Sequence, residues 1–178
     1  MVESLDLSEL AEGVPALSQS HLVCLAEVAC VELGKHKHAN PVQMQVRGGN
    51  HKIYKLYGFP ITDAMRRTYA DPGECTEFGA CGIAILVLLK ETHYTIVERS
   101  YVGTGYDYRI GQQGDFLFQQ TARLEISGIH AGTAQEVSRR TRKKIKQTSV
   151  SDNTQMPAVI IVVEFSVPMI EVAYTDAD

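Results

Sequence analysis

An α/β fold is what the sequence predicts, and three observations carry that expectation. Helix-period and strand-period segments alternate along the 178 residues, residues 157–166 form a nearly continuous apolar run, and no Pro-, Gly- or Ser-rich linker separates two halves. Alternating elements imply a layered sheet-and-helix core. A nearly unbroken apolar strand implies cover on both faces, often in a parallel pairing. A chain of this size buries roughly 70% of its unfolded surface. Its 44% hydrophobic and 21% charged residues are ordinary for a globular protein. One domain spanning residues 1–178 is expected.

Residues 1–17 are acidic and weakly patterned, so a partly mobile arm is expected there. From Ser18 or Ser20 to about Lys37, a serine N-cap precedes Leu22, Ala26, Ala29 and Leu33 at helical spacing. Val42, Met44 and Val46 alternate with Gln43, Gln45 and Arg47. With Gly48-Gly49-Asn50 as a turn and residues 53–59 as the returning strand, an N-terminal hairpin over 41–59 follows. A short helix over 62–70 is expected to stop at Asp71-Pro72-Gly73, and Thr76 to cap a helix over 77–91. Residues 94–101, 106–110 and 118–129 read as three strands, joined by Gly103-Thr104-Gly105 and by a turn over 111–115. Residues 134–147 are helical, 157–166 is the buried strand, and 169–174 is expected to pair beside it after Pro168. The order over 77–166 is helix, three-stranded meander, helix, buried strand, the last step being a right-handed crossover. Ile83, Ile85, Val87 and Leu89 ring one helix with apolar side chains, which predicts a further covering layer such as another subunit.

The net charge of −4 lacks the basic excess of dedicated DNA binders. Arg139, Arg140, Arg142, Lys143, Lys144 and Lys146 nevertheless fall within eight positions. Such a stripe either grips a phosphate backbone or is a solvated helix face. No apolar run reaches the roughly 18 residues that span a bilayer. The opening Met-Val-Glu-Ser-Leu-Asp shows no basic region followed by an apolar stretch. No signal peptide, no membrane partner and a cytoplasmic location are therefore expected. In that compartment Cys24, Cys30, Cys75 and Cys81 are expected to be reduced.

Alternation on two strands carries the chemistry. Tyr106, Tyr108 and Ile110 share one face, leaving Asp107 and Arg109 on the other; Ala122, Leu124 and Ile126 face the core, leaving Arg123, Glu125 and Ser127 opposite. Antiparallel neighbours can thus bring Asp107 and Glu125 together. Two close carboxylates repel unless a cation shares them, and hard oxygen ligands favour Mg²⁺ or Mn²⁺. Glu77, Cys81, Ala84 and Leu88 lie on one helix face, so Glu77 can look toward the same place. The bland reading is a cross-strand ladder pairing Asp107 and Glu125 with Arg109 and Arg123, each pair contributing about 0.2–1 kcal/mol.

The stretch Glu77-Phe-Gly-Ala, Leu88-Leu89, residues 94–99, Gly105-Tyr-Asp107 and Ala122-Arg-Leu-Glu125-Ile-Ser127 resembles the PD-(D/E)xK nuclease superfamily. It is closest in style to small Holliday-junction-resolvase-like and Mrr-type members. The resemblance covers residues 77–166 and implies a restriction-endonuclease-like core with an N-terminal helix and hairpin added. It implies Mg²⁺- or Mn²⁺-dependent phosphodiester hydrolysis of DNA, in a bacterial genome-maintenance or defence setting. Glu77 resembles the helix carboxylate, Asp107 and Glu125 the metal-binding pair with the Ile126 carbonyl, and Arg139, Arg142 and Lys143 would grip the nucleic acid. Ser127 stands where the family's lysine orients the attacking water. Loss of such a group typically costs 10²–10⁴-fold in rate. Three readings stay open: the lysine has migrated, with Arg123, Arg139 or Lys143 nearest; metal-bound hydroxide suffices; or the fold is an inactive scaffold that binds a partner protein. The absence of an appended DNA-reading domain favours a homodimer or a larger bacterial complex.

Other constellations carry less. His36-x-His38 reads as an exposed basic helix terminus rather than a metal site. Cys24/Cys30 and Cys75/Cys81 are each six apart, off zinc-ribbon spacing, and read as inert thiols. Gly103-Thr104-Gly105 lacks the lysine and helix of a phosphate loop, and no Gly-x-Ser-x-Gly elbow anchors a hydrolase triad.

Overall fold

Eight strands hydrogen-bond into one mixed sheet, which a computed structural model describes over residues 3–48, 51–112, 121–150 and 156–175. The strands are β1 (Glu3–Asp6), β2 (Val42–Arg47), β3 (Lys52–Tyr57), β4 (Tyr94–Arg99), β5 (Tyr108–Gln112), β6 (Ala122–Ile129), β7 (Ala158–Glu164) and β8 (Met169–Thr175), in the order β1-β3-β2-β8-β7-β6-β5-β4. The helices are α1 (Gln19–Lys35), α2 (Asp63–Thr68), α3 (Pro72–Glu91) and α4 (Ala134–Val150). The protein is thus mixed α/β. β4, β5 and β6 form the antiparallel meander, and β7 pairs parallel to β6 after the α4 connection.

Three layers result. On one sheet face α1 and α3 pack over Leu124, Ile126, Ile161, Met44 and Tyr54; on the other, α4 covers Ala158, Ile160 and Val162. β7 is buried along its whole length, which is why its sequence is apolar without alternation. Strand alternation on β6 follows the expectation: Leu124 and Ile126 enter the α1/α3 layer, and Arg123, Glu125 and Ser127 lie under α4.

The cover of α3 comes from within the chain, not from another subunit. Ile83, Ile85 and Val87 are buried in the layer shared with α1. α3 is the one described helix long and apolar enough to cross a membrane, and most of it is buried here. Its start also differs from the sequence reading. Asp71, Pro72 and Gly73 open the helix rather than stop the preceding one: the Asp71 carboxylate caps Glu74 N at 2.8 Å, and Pro72 sits at the first turn. Thr76 is inside the helix, its hydroxyl bonded to Pro72 O at 2.9 Å and to Glu32 Oε1 at 2.8 Å.

Residues 3–12 are not an arm. β1 pairs parallel with β3, and Leu5, Leu7 and Leu10 are buried beneath α1 and α3. Gly111 and Gln112 continue β5, so no turn begins at 111; the rest of that expected turn and the expected strand start at 118–120 lie outside the described residues. Thr133 and Glu136 cap α4 reciprocally, through Thr133 N to Glu136 Oε2 (2.7 Å) and Glu136 N to Thr133 Oγ1 (3.3 Å).

Candidate functional site

The β5–β6 pairing ends at Tyr108 opposite Leu124. One residue before β5, Asp107 N donates to Leu124 O (2.9 Å), and Asp107 Oδ2 accepts the N–H of Ile126 at 2.7 Å. A carboxylate thus takes the place of a strand where the sheet opens. The Ile126 carbonyl lies on that same open edge, because a strand residue directs its N–H and C=O to one side. The hairpin before Asp107 fixes its position. Gly103 and Gly105 adopt φ of 96° and 78°, and Ser100 N donates to Asp107 O at 2.8 Å.

Glu125 comes up from β6 beneath α4, only 3% exposed. Its carboxyl interacts with that of Asp107, and Lys144 of α4 donates to Glu125 Oε1 at 2.5 Å. Burial, then the Asp107 charge, pushes the Glu125 carboxyl up to about 7, against the opposing pull of Lys144. Burial likewise raises Asp107, opposed by the Ile126 N–H and the charges of Lys144 and Arg99. The pair therefore resists carrying two negative charges, and one nearby ammonium only partly relieves it.

Around this pair is a cleft of about 250 Å³, lined by Glu77, Cys81, Arg99, Asp107, Arg140 and Lys144 among others. Glu77 and Cys81 share the α3 face turned to the opening. Ser127 Oγ accepts from Arg140 of α4 at 2.9 Å. Arg140 and Lys144 are one turn apart on the β6 side of α4.

Three sequence-based placements need correction, and the basic residues of α4 divide between two clefts. Of the migrated-lysine candidates, none reaches the carboxylates; Lys144 does. Arg123 is buried, donating to the carbonyls of Thr148 and Met156 at 2.9 and 2.7 Å, and Arg109 pairs with Glu98 at 3.2 Å. Asp107 and Glu125 thus take other partners than the expected arginine ladder. Arg139 and Arg142 line a different cleft, of about 860 Å³, with Arg47 of β2; Lys143 lines neither. Finally, His36 is no solvated terminus: its ring lies 4.4 Å from that of His130. Arg99, Arg140 and Lys144 went unrecognised, since only helical phase and the hairpin's return select them.

The four cysteines are free thiols, and burial holds Cys30 and Cys75 up at about 11. Comparison with protein-family models, curated proteins and solved structures yields no match to this chain. The chemistry rests on geometry.

A raised carboxyl has a stability signature. Glu125 moves from an ordinary 4.5 to about 7 on folding, so the folded state binds more protons between those values and loses stability as pH rises through them. Without divalent metal, Glu125→Gln is expected to gain on the parent by about 2 kcal/mol between pH 5 and pH 8. Urea midpoints in chelator at both pH values measure this, and a pH-independent difference would mean that Glu125 titrates normally.

Proposed function

We propose that the chain is a divalent-metal-dependent nuclease with a restriction-endonuclease-like core, hydrolysing phosphodiester bonds in DNA. The observation that carries this reading is the ammonium of Lys144 against Glu125, beside Asp107. The lysine that β6 lacks at Ser127 is supplied by α4, one strand-face step away. The order α3, β4-β5-β6 meander, α4, β7 supports the same reading.

The donor set fits Mg²⁺ or Mn²⁺: two carboxylates that disfavour a shared double charge, and the Ile126 carbonyl on the same edge. Bound there, the cation would polarise the phosphate and acidify a water. Lys144 orients the attacking water and offsets charge growing on the phosphorus oxygens. Arg140 of α4 and Arg99 of β4, both lining the cleft, hold the non-bridging oxygens, and Ser127 fixes the Arg140 guanidinium. Glu77 at the rim accepts a hydrogen bond from the attacking water or its neighbour. Water adds to phosphorus as the ester P–O bond breaks, and its proton ends on the leaving oxygen. The Arg47, Arg139 and Arg142 cleft and Lys143 extend positive charge along α4 for the backbone beyond.

The second reading is an inactive scaffold that binds a partner protein. It draws on the same contact, since Lys144 can stand in for a metal by neutralising Glu125. One experiment separates the two. The full chain, incubated with linear and branched DNA in Mg²⁺ or Mn²⁺, should cut, and Asp107→Ala should abolish both cutting and calorimetric Mn²⁺ binding while leaving the circular dichroism unchanged. Absence of cutting and of Mn²⁺ binding in the parent sinks the nuclease reading and leaves the scaffold.

A further inference from the structure

A second polar centre lies behind the first, where the C-terminal turn of α1 meets the loop between β6 and α4. Glu32 is completely buried in an otherwise apolar helix face, an expensive placement for a carboxylate without strong partners. His130 Nδ1 lies 2.6 Å from its Oε1, Thr76 Oγ1 donates to the same oxygen at 2.8 Å, and Lys35 Nζ lies 2.8 Å from Oε2. His36 caps α1, and its Nε2 is shut away from solvent with no hydrogen-bond partner, while Glu32 Oε2 is met by the Lys35 ion pair. One ligand atom from each of Glu32, His36 and His130 lies within 4.8 Å of the others.

We propose that Glu32, His36 and His130 bind Zn²⁺ or a late first-row neighbour such as Co²⁺, and not Mn²⁺, clamping α1 to the loop that leads into α4. Two imidazole nitrogens and one carboxylate suit Zn²⁺ and its neighbours, whereas Mg²⁺ and Ca²⁺ demand oxygen. Ligands on a tetrahedral Zn²⁺ with bonds of 2.0–2.1 Å stand roughly 3.4 Å apart, so separations of up to 4.8 Å close by at most about 1.4 Å on loading, while the 2.6 Å approach of His130 to Glu32 opens. His130 is half exposed and supplies that movement by ring torsion, and its open side admits a water as fourth ligand. Lys35, its side chain about a third exposed, swings out as the cation arrives.

The arrangement also explains His38, whose Nε2 lies 2.7 Å from Phe165 O. It steadies the turn after α1, where Lys37 takes a left-handed φ of 57°, and leaves His36 facing the cluster. The centre shares no residue with the Asp107–Glu125 pair, yet His130 is three residues beyond Ser127 on the same segment.

The test uses the full chain stripped with chelator. Calorimetry should show Zn²⁺ binding that excess Mg²⁺ does not displace. Co²⁺ should give visible ligand-field bands without thiolate-to-cobalt charge transfer. His36→Gln and His130→Gln should each weaken Zn²⁺ binding by at least about 10–100-fold, the range set by lesser losses around metal sites. Asp107→Ala should leave it unchanged, which keeps this result separate from the nuclease question. His130→Gln guards against misfolding because its side chain is half exposed. No Zn²⁺ binding by the parent, parent-like affinity in the histidine variants, or a thiolate band would overturn the assignment.

Discussion

Replacing Lys144 with alanine is expected to lower Mg²⁺-dependent DNA cleavage by about 10²–10⁴-fold, the usual cost of losing a group that handles the proton or the developing charge. The loss should fall on kcat, because Lys144 meets the reacting centre and not the distant backbone. Its side chain is one-fifth exposed on a helix face, so the fold should persist. Lys143→Ala, one residue away but rotated about 100° on the helix, should stay within about threefold of the parent. The decisive comparison is Ser127→Lys in the Lys144→Ala background. Ser127 and Glu125 share a strand face roughly 6.6 Å apart along β6, so a lysine there can extend back to the carboxylates. Recovery of about tenfold or more would identify the missing function as a positive charge at that point. Full activity in Lys144→Ala would remove α4 from the chemistry altogether.

The largest effect on stability is expected at Gly82. A Cβ there would stand 2.7 Å from Leu25 O and 3.1 Å from Leu25 C, both backbone atoms of α1 that have no side-chain freedom to yield. Nearby, Gly79 faces Ala29 Cα at 3.3 Å, so α1 and α3 meet along a seam of small residues. Gly82→Val should therefore force the helices apart and cost about 3 kcal/mol. The gain in helix propensity from replacing glycine, a few tenths of a kcal/mol, does not offset this. Urea unfolding measures it directly. A neutral or stabilising Gly82→Val would mean that the α1–α3 seam is looser than this geometry.

Much of the fold was legible in the sequence wherever local pattern and burial agree. Val42, Met44 and Val46 alternate because one face of β2 is buried, and β7 reads as a solid apolar run because both faces are. Ser18 announced α1, its side chain accepting from His21 N. Illegible parts depend on distant partners. Glu3–Asp6 carries a single buried leucine, and only pairing with β3, some fifty residues on, makes it a strand. Asp71-Pro72-Gly73 has the composition of a turn as well as of a helix start, and composition does not distinguish them. At the candidate site, alternation marked Asp107 and Glu125, but six basic residues in α4 concealed which one faces them. One residue of phase decides between Lys143 and Lys144. His36 and His130 are 94 positions apart in sequence, so nothing local hinted at their meeting.

The last strand has a consequence for how the molecule assembles. β8 is the only described strand joining β1-β3-β2 to β7-β6-β5-β4: Val46 pairs with Ile170 on one side, and Val163 with the same Ile170 on the other. Without residues 169–175 the described strands would fall into two half-sheets, each with an unsatisfied row of backbone groups. Closing them ties residues more than a hundred positions apart, a slow, high-contact-order step. The half bearing Asp107 and Glu125 draws its four strands from residues 94–164 and can pair them internally beforehand. The carboxylate pair would then be in place before the sheet is whole.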